Sequence, residues 1–228
     1  MTASRFVDLS QTFHDGMPGI RRKMPDGSLR DETVRLSVVR THAESAALNP
    51  AGVGFESTEV SFPTAIATYI DAPYCRWPEK RDIAALGLDD VILPGVVVDC
   101  RGRADRAIVG SEVLPNASLA GHAVLFNFGW DQYWGTDRYG AHPAIGPDVV
   151  GRLIAEGAKL YAVDAGSADA PGDPKAPVHS RLLERDILIS ENLVGLDRLI
   201  GKRFRFFAVP ITARAATSMT VRAFAELL

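Results

Sequence analysis

Polar and apolar residues alternate along two stretches of the N-terminal third, residues 33–39 and, more weakly, 56–62. A period of two turns successive side chains to opposite faces, so each stretch predicts a half-exposed strand. Further along, the pattern changes to short apolar runs at 96–100 and 122–128, which read as strands buried on both faces. Residues 159–164 predict another strand, and residues 204–210 a buried strand near the end. One segment follows helical spacing instead. After Gly146-Pro147-Asp148, an apolar stripe of Val149, Val150, Leu153 and Ile154 runs to Gly157. Proline suits the first helical turn, where its missing N–H has no partner, and glycine suits the stop. Many strands with two or three helices predict an α/β architecture with a mixed sheet or barrel core.

Proline and glycine concentrate at 15–28, 50–54 and 170–177. The last segment is unsuited to regular helix or central strand and stands directly before His179. It is either a plain connection or a loop that shapes a pocket. No repeat, low-complexity tract or polar linker interrupts the chain, so a single domain over 1–228 is expected.

Composition narrows the partners. The 228 residues are 46% hydrophobic and 23% charged, with a net charge of −3, which suits a globular protein with a real core. There is no basic footprint for nucleic acid and no polybasic membrane patch. The N-terminus lacks a long apolar leader, and no window reaches the length of a membrane span. Two cysteines, Cys75 and Cys100, suggest a reducing compartment rather than a disulfide framework. A cytoplasmic protein acting on a small molecule is the resulting expectation.

Candidate chemistry centres on residues 65–75, which read Ala-Ile-Ala-Thr-Tyr-Ile-Asp-Ala-Pro-Tyr-Cys. This stretch resembles the signature His-x-Gly-Thr-His-x-Asp-x-Pro-x-His of the cyclase/kynurenine formamidase family of metal-dependent hydrolases, which includes isatin hydrolase. Thr68, Asp71 and Pro73 match. Ala65, Ala67, Tyr69 and Cys75 depart, and three of the four replace histidines. The resemblance extends through Val7-Asp8-Leu9-Ser10, with Gln11 where a histidine is common, and through Asp15-Gly16-Met17-Pro18. Gly129-Trp130-Asp131-Gln132-Tyr133-Trp134, His142-Pro143, the strand end from Val163 to Asp169, His179 and Glu191-Asn192-Leu193 continue it in order. It implies an α/β fold of swivelling β/β/α type with few helices, and a homodimer or homotetramer.

Carried over residue by residue, the resemblance implies that Ala65 and Tyr69 replace ligands of a first metal and that Cys75 replaces the acid/base. Asp71 of that first site remains, as do His179 and Glu191, which the resemblance implies help hold a second metal. Alanine has no donor atom and tyrosine is a poor zinc ligand at neutral pH, so the first site is expected to be empty. The three survivors are either ligands for one divalent metal, Zn or Mn, or a metal-free hydrogen-bonded cluster. The reading favours no cofactor.

Other candidates stay open between two roles. Cys75 is a nucleophile if its thiol is acidified, or an inert buried hydrophobe. Tyr69 is a proton donor that orients a carbonyl, or pocket filling. Trp130 and Trp134 are an aromatic wall for a planar substrate, or core packing. Asp164, Ser167 and Asp169 line the pocket or cap a turn. The resemblance sets Ser218 and Arg222 against a C-terminal Ser-Pro-x-Arg block; the added Arg214 binds substrate or is merely exposed.

Three functions compete. The favoured one is a cyclase-like enzyme on a small aromatic or cyclic carbonyl or amide substrate, in specialised metabolism, with acid/base groups Tyr69, Asp71, Cys75, His179 and Glu191. The others are a single-metal amide or lactam hydrolase and an inactive small-molecule-binding homologue.

Overall fold

The computed structural model describes residues 4–103 and 108–228. The chain forms two compact units, one from Met1–Gln11 with Thr68–Leu228 and the other from Thr12–Ala67.

The larger unit is built on a nine-stranded mixed sheet. In chain order its strands are β1 (Phe6–Asp8), β2 (Tyr69–Asp71), β3 (Ile92–Asp99), β4 (Ala123–Asn127), β5 (Leu160–Val163), β6 (Leu188–Glu191), β7 (Phe204–Phe207), β8 (Ser218–Thr220) and β9 (Phe224–Leu227). They lie in the order β1-β9-β7-β3-β4-β5-β6-β2-β8. The four central strands, β3 to β6, run parallel, and the flanking pairs are antiparallel.

Parallel neighbours need long crossovers, and helices supply two of them. Helix α1 (Pro147–Glu156) joins β4 to β5, and α2 (Pro177–Glu184) joins β5 to β6. Both begin on proline, and α1 stops where Gly157 turns left-handed at φ 75°. Val149, Val150 and Leu153 of α1 and Leu182 and Leu183 of α2 pack against Val124, Phe126, Tyr161, Val163 and Ile189 of the sheet. Every residue of β4 and β5 is buried, so these strands are covered on both faces.

The chain departs from the sequence pattern in places. Residues 204–210 do not form one buried strand. Strand β7 ends at Phe207, and Arg205 is exposed, because β7 lies among the antiparallel strands outside the helix-covered centre. Four α-helices form among the described residues, one more than the upper expectation.

In the smaller unit, Pro18–Lys23 pairs with Leu29–Thr33, and Arg35–Arg40 pairs with Ser57–Ser61. The alternating stretches are therefore strands, but Leu36, Val38 and Val60 are exposed. A two-stranded ribbon gives each side chain little more than its cross-strand partner for cover.

Candidate active site

Strand geometry assembles the first half of the site. Side chains two apart in a strand share a face, so Tyr69 and Asp71 of β2 point the same way. In the antiparallel register, Glu191 of β6 stands opposite Tyr69, and Ile189 opposite Asp71. Ile189 belongs to the helix-side core, so Tyr69, Asp71 and Glu191 all face the helices. On the other side of β2, Ser218 of β8 is opposite Asp71 and is buried.

Helix α2 brings in His179, the third residue of its first turn. Asp169 holds it there. The Asp169 carboxylate accepts the backbone N–H groups of Val178 (2.6 Å) and His179 (3.2 Å), orphan donors at a helix start. The same carboxylate accepts from His179 Nδ1 at 2.5 Å. This leaves His179 Nε2 facing Glu191 Oε1 at 3.3 Å and Asp71 Oδ2 at 3.7 Å. The sequence left Asp169 undecided between lining a pocket and capping a turn. It lines the cavity and caps a helix instead.

Glu191 is held at both oxygens. Ala168 N–H donates to Oε1 at 2.5 Å, and the Tyr69 phenol donates to Oε2. Thr68 of the signature has its own task. Its hydroxyl donates to the Asn192 carbonyl at 2.7 Å and accepts from Gln11 N–H at 2.9 Å, tying β2 to the end of β6.

Burial sets the proton affinities. Burial first, then the Glu191 and Asp71 charges, hold the Tyr69 phenol well above its ordinary range. Burial raises the Glu191 carboxyl to about 7, against the pull of His179 and with the push of Asp71. For His179, burial disfavours the charged ring, but Glu191, Asp169 and Asp71 outweigh it and keep the imidazole well above its usual value. Burial first, then the Asp71 and Glu191 carboxylates, push the Cys75 thiol up to about 12. That direction opposes a thiolate nucleophile and suits a neutral S–H beside Asp71.

A cavity of about 360 Å³ opens beside this cluster, lined among others by Cys75, Arg76, Ser167, Asp169 and His179. Cys75, the last residue of the short turn Pro73–Cys75, and Arg76 form one wall, and just beyond them Trp77 Nε1 donates to the Ser180 carbonyl of α2 at 3.1 Å. Arg76, which carries no motif, was not visible as a site residue in the sequence.

The remaining candidates lie elsewhere. Trp130 is buried in the core, its indole N–H donating to the Tyr139 carbonyl at 2.9 Å, and Trp134 packs edge-on against Tyr139 at 5.0 Å. Neither tryptophan lines the cavity at His179. Arg214 is exposed, and Arg222 pairs with Asp8 at 2.7 Å. Asp164 accepts from Phe128 N–H and Trp130 N–H, each at 3.0 Å, and so braces the turn after β4. His142 is a buried loop residue.

The donor set fits one metal rather than two. Ligand atoms of Asp71, His179 and Glu191 lie within 4.8 Å of one another, close enough to converge on a single ion. The first site does not fit. Ala65 offers no donor, and the Tyr69 phenol keeps its proton and spends it on Glu191.

Known proteins share this framework. Kynurenine formamidase of Erythrobacter litoralis is 28% identical, covering 91% of this chain and 87% of its own, and that of Sphingopyxis alaskensis is 27% identical over 96% and 97%. Isatin hydrolase A of Labrenzia aggregata, solved with benzyl benzoate, superposes with a TM-score of 0.80 over 97% of this chain and 93% of its own. A structure described as a potential metal-dependent hydrolase with cyclase activity gives 0.74 over 96% of both. At 19% and 16% identity, these two likenesses establish the fold. Residues 7–170, well over half the chain, match the Cyclase family, whose description reads "Putative cyclase". The sheet that carries Tyr69, Asp71 and Glu191 is thus a known scaffold, and the chain belongs to the Cyclase family.

Proposed function

We propose that the chain is an enzyme acting at the carbonyl carbon of a small aromatic or cyclic amide or carbonyl compound, without the two-metal arrangement of its family. The observation that carries this reading is the Tyr69–Glu191 hydrogen bond. A phenol stands where the signature has a histidine, and it binds the carboxylate rather than a metal.

The chain's own residues then divide the work. Glu191, with its carboxyl near 7, can take up or release a proton near neutrality. Tyr69 keeps its proton and fixes Glu191 Oε2, while Ala168 N–H fixes Oε1. Asp169 holds His179 Nδ1–H, and in the imidazolium that Glu191, Asp169 and Asp71 favour, Nε2 carries a proton available to a carbonyl oxygen or a leaving nitrogen. The walls at Cys75 and residues 170–173 surround the reacting group.

A second reading, a single-metal amide or lactam hydrolase, is supported by one specific observation. Three carboxylates, Asp71, Asp169 and Glu191, surround one imidazole, an excess of negative charge that one divalent ion at Asp71, His179 and Glu191 would offset. Such an ion would supply Lewis-acid polarisation of the substrate carbonyl. Relatives named for kynurenine formamide and isatin cleavage make aryl formamides and cyclic amides the first substrates to try.

Elemental analysis of the purified protein, with turnover measured before and after chelation, separates the readings. Turnover that survives chelation supports the acid/base reading. One equivalent of metal, with activity lost on chelation and restored by the ion, supports the second. Absence of turnover on aryl formamides, isatin-type amides and cyclisable ketones alike would sink both.

A further inference from the structure

The cavity beside His179 contains a cation that the protein does not neutralise. Arg76 follows Cys75 directly and lines the same wall. Its Nε donates to Ser180 Oγ at 3.2 Å, and its Nη2 donates to Ser180 Oγ at 3.0 Å and to the Lys175 carbonyl at 2.9 Å. Ser180 Oγ in turn donates to the Ala176 carbonyl at 2.9 Å. All of these partners are neutral.

The acids of the same cavity are engaged with other groups. Asp169 holds His179 and the start of α2, and Asp173 Oδ1 accepts Lys175 N–H at 2.9 Å. No ion pair joins Arg76 to a carboxylate among the described residues. A guanidinium has five N–H donors in a planar fork. Three are used, all from Nε and Nη2, which leaves both Nη1 donors without a partner among the described residues. The group is thus held in place along one edge and open along another, with its charge unmet. Prior ordering of this kind lowers the cost of binding an anion.

We propose that Arg76 is the specificity residue for an anionic substituent: it binds a carboxylate carried by the substrate, while the carbonyl being attacked lies at Glu191 and His179. The substrate class is therefore a small aromatic or cyclic amide that bears a carboxylate. This rests on reading the cavity as the substrate site. A purely structural Arg76, which only fastens residues 175–180, would affect every substrate alike.

The test compares 2-formamidobenzoate with formanilide, which differ by the carboxylate, on the full chain and its Arg76→Gln and Arg76→Lys variants. The wild type should show the lower KM for 2-formamidobenzoate. Arg76→Gln should raise that KM on the order of tenfold to a hundredfold, the scale of a lost charge-assisted hydrogen bond. It should leave kcat and the formanilide KM within about twofold, and Arg76→Lys should recover part of the loss. Equal losses on both substrates, or none on either, overturn the proposal. If neither formamide is turned over, the enzymatic reading is decided separately on isatin-type amides and cyclisable ketones, and calorimetry with benzoate against benzamide decides on Arg76. Benzoate must then bind tighter to the wild type and lose that advantage in Arg76→Gln; equal binding of the two overturns the proposal. Should Arg76→Gln not fold, the ionic-strength dependence of the wild type decides. KM for 2-formamidobenzoate, or benzoate affinity if there is no turnover, must weaken with salt, and a flat response overturns the proposal.

Discussion

Ala67 carries a backbone conformation that suits glycine. Its φ is 56°, in the left-handed region, and the family signature has glycine at this position. A Cβ there costs roughly 1–2 kcal/mol, part of which glycine's extra freedom in the unfolded chain cancels. Ala67→Gly should therefore raise unfolding stability by up to about 1 kcal/mol, read from a denaturant midpoint. Eight residues on, Cys75 makes an opposite kind of prediction. With its thiol near 12, the thiolate fraction at pH 8 is on the order of 10⁻⁴. Alkylation of the native protein at Cys75 should be at least about a hundredfold slower than that of free cysteine. Mass-spectrometric labelling at free-thiol rates would contradict the shift. These two residues show how legible single positions were. The signature named Ala67 and Cys75 as departures, but only the backbone torsion and the neighbouring carboxylates show what each departure does. Tyr69, Asp71, His179 and Glu191 were all named from motif blocks, and the structure brings them together. Arg76 was not named, because a surface arginine carries no pattern until the fold sets it in a cavity wall.

Helix α2 depends on a cap that does not precede it in sequence. The residue before its first turn is Ala176, which has no side-chain acceptor, and Asp169 supplies the cap from seven residues upstream. Asp169→Ala should cost about 1–2 kcal/mol through the helix start. It should also lower turnover roughly 10–100-fold, the usual range for a group that orients a functional histidine. A melting curve and a steady-state assay measure the two effects, and a drop in only one would show that the roles are separable. The contrast with α1 explains what the pattern conveyed. Helix α1 has proline at its start, a four-residue apolar stripe and a glycine stop, all local signals. Helix α2 is shorter, begins on the last proline of a proline-rich loop and takes its cap from a distance, so propensity alone does not reveal it. Strand β2 is similar. Its three residues became recognisable only through cross-strand partners on β6 and β8.

At the scale of the whole molecule, buried acids set the pH response. Burial raises the Asp164 carboxyl to about 7, although Phe128 and Trp130 N–H groups pull the other way. Its folded value therefore lies above its unfolded value near 4, so the folded state binds the extra proton. The resulting stabilisation is complete below about pH 4 and is lost as pH rises through about 7. Its size is at most on the order of a few kcal/mol. Denaturant titrations between pH 4 and 8 should show this decline, and Asp164→Asn should flatten it. An unchanged slope in the variant would assign the decline to Glu191, which shifts in the same direction. The α/β architecture was legible because apolar runs and one well-marked helix identify buried parallel strands. The strand order was not, since pairing across the sheet is set by contacts far apart in the chain. No helix among the described residues is long and apolar enough to cross a membrane.

The double duty of Asp169 constrains how such a site can change over time. Substituting His179 would leave the acid still capping its helix, so the scaffold survives while the chemistry is exchanged. Substituting Asp169 first would loosen the helix and the ring together. Descendants of this chain that adopt new reactions are therefore expected to surrender the histidine before the aspartate, and an aspartate left behind without its histidine would mark a site whose former work has been abandoned.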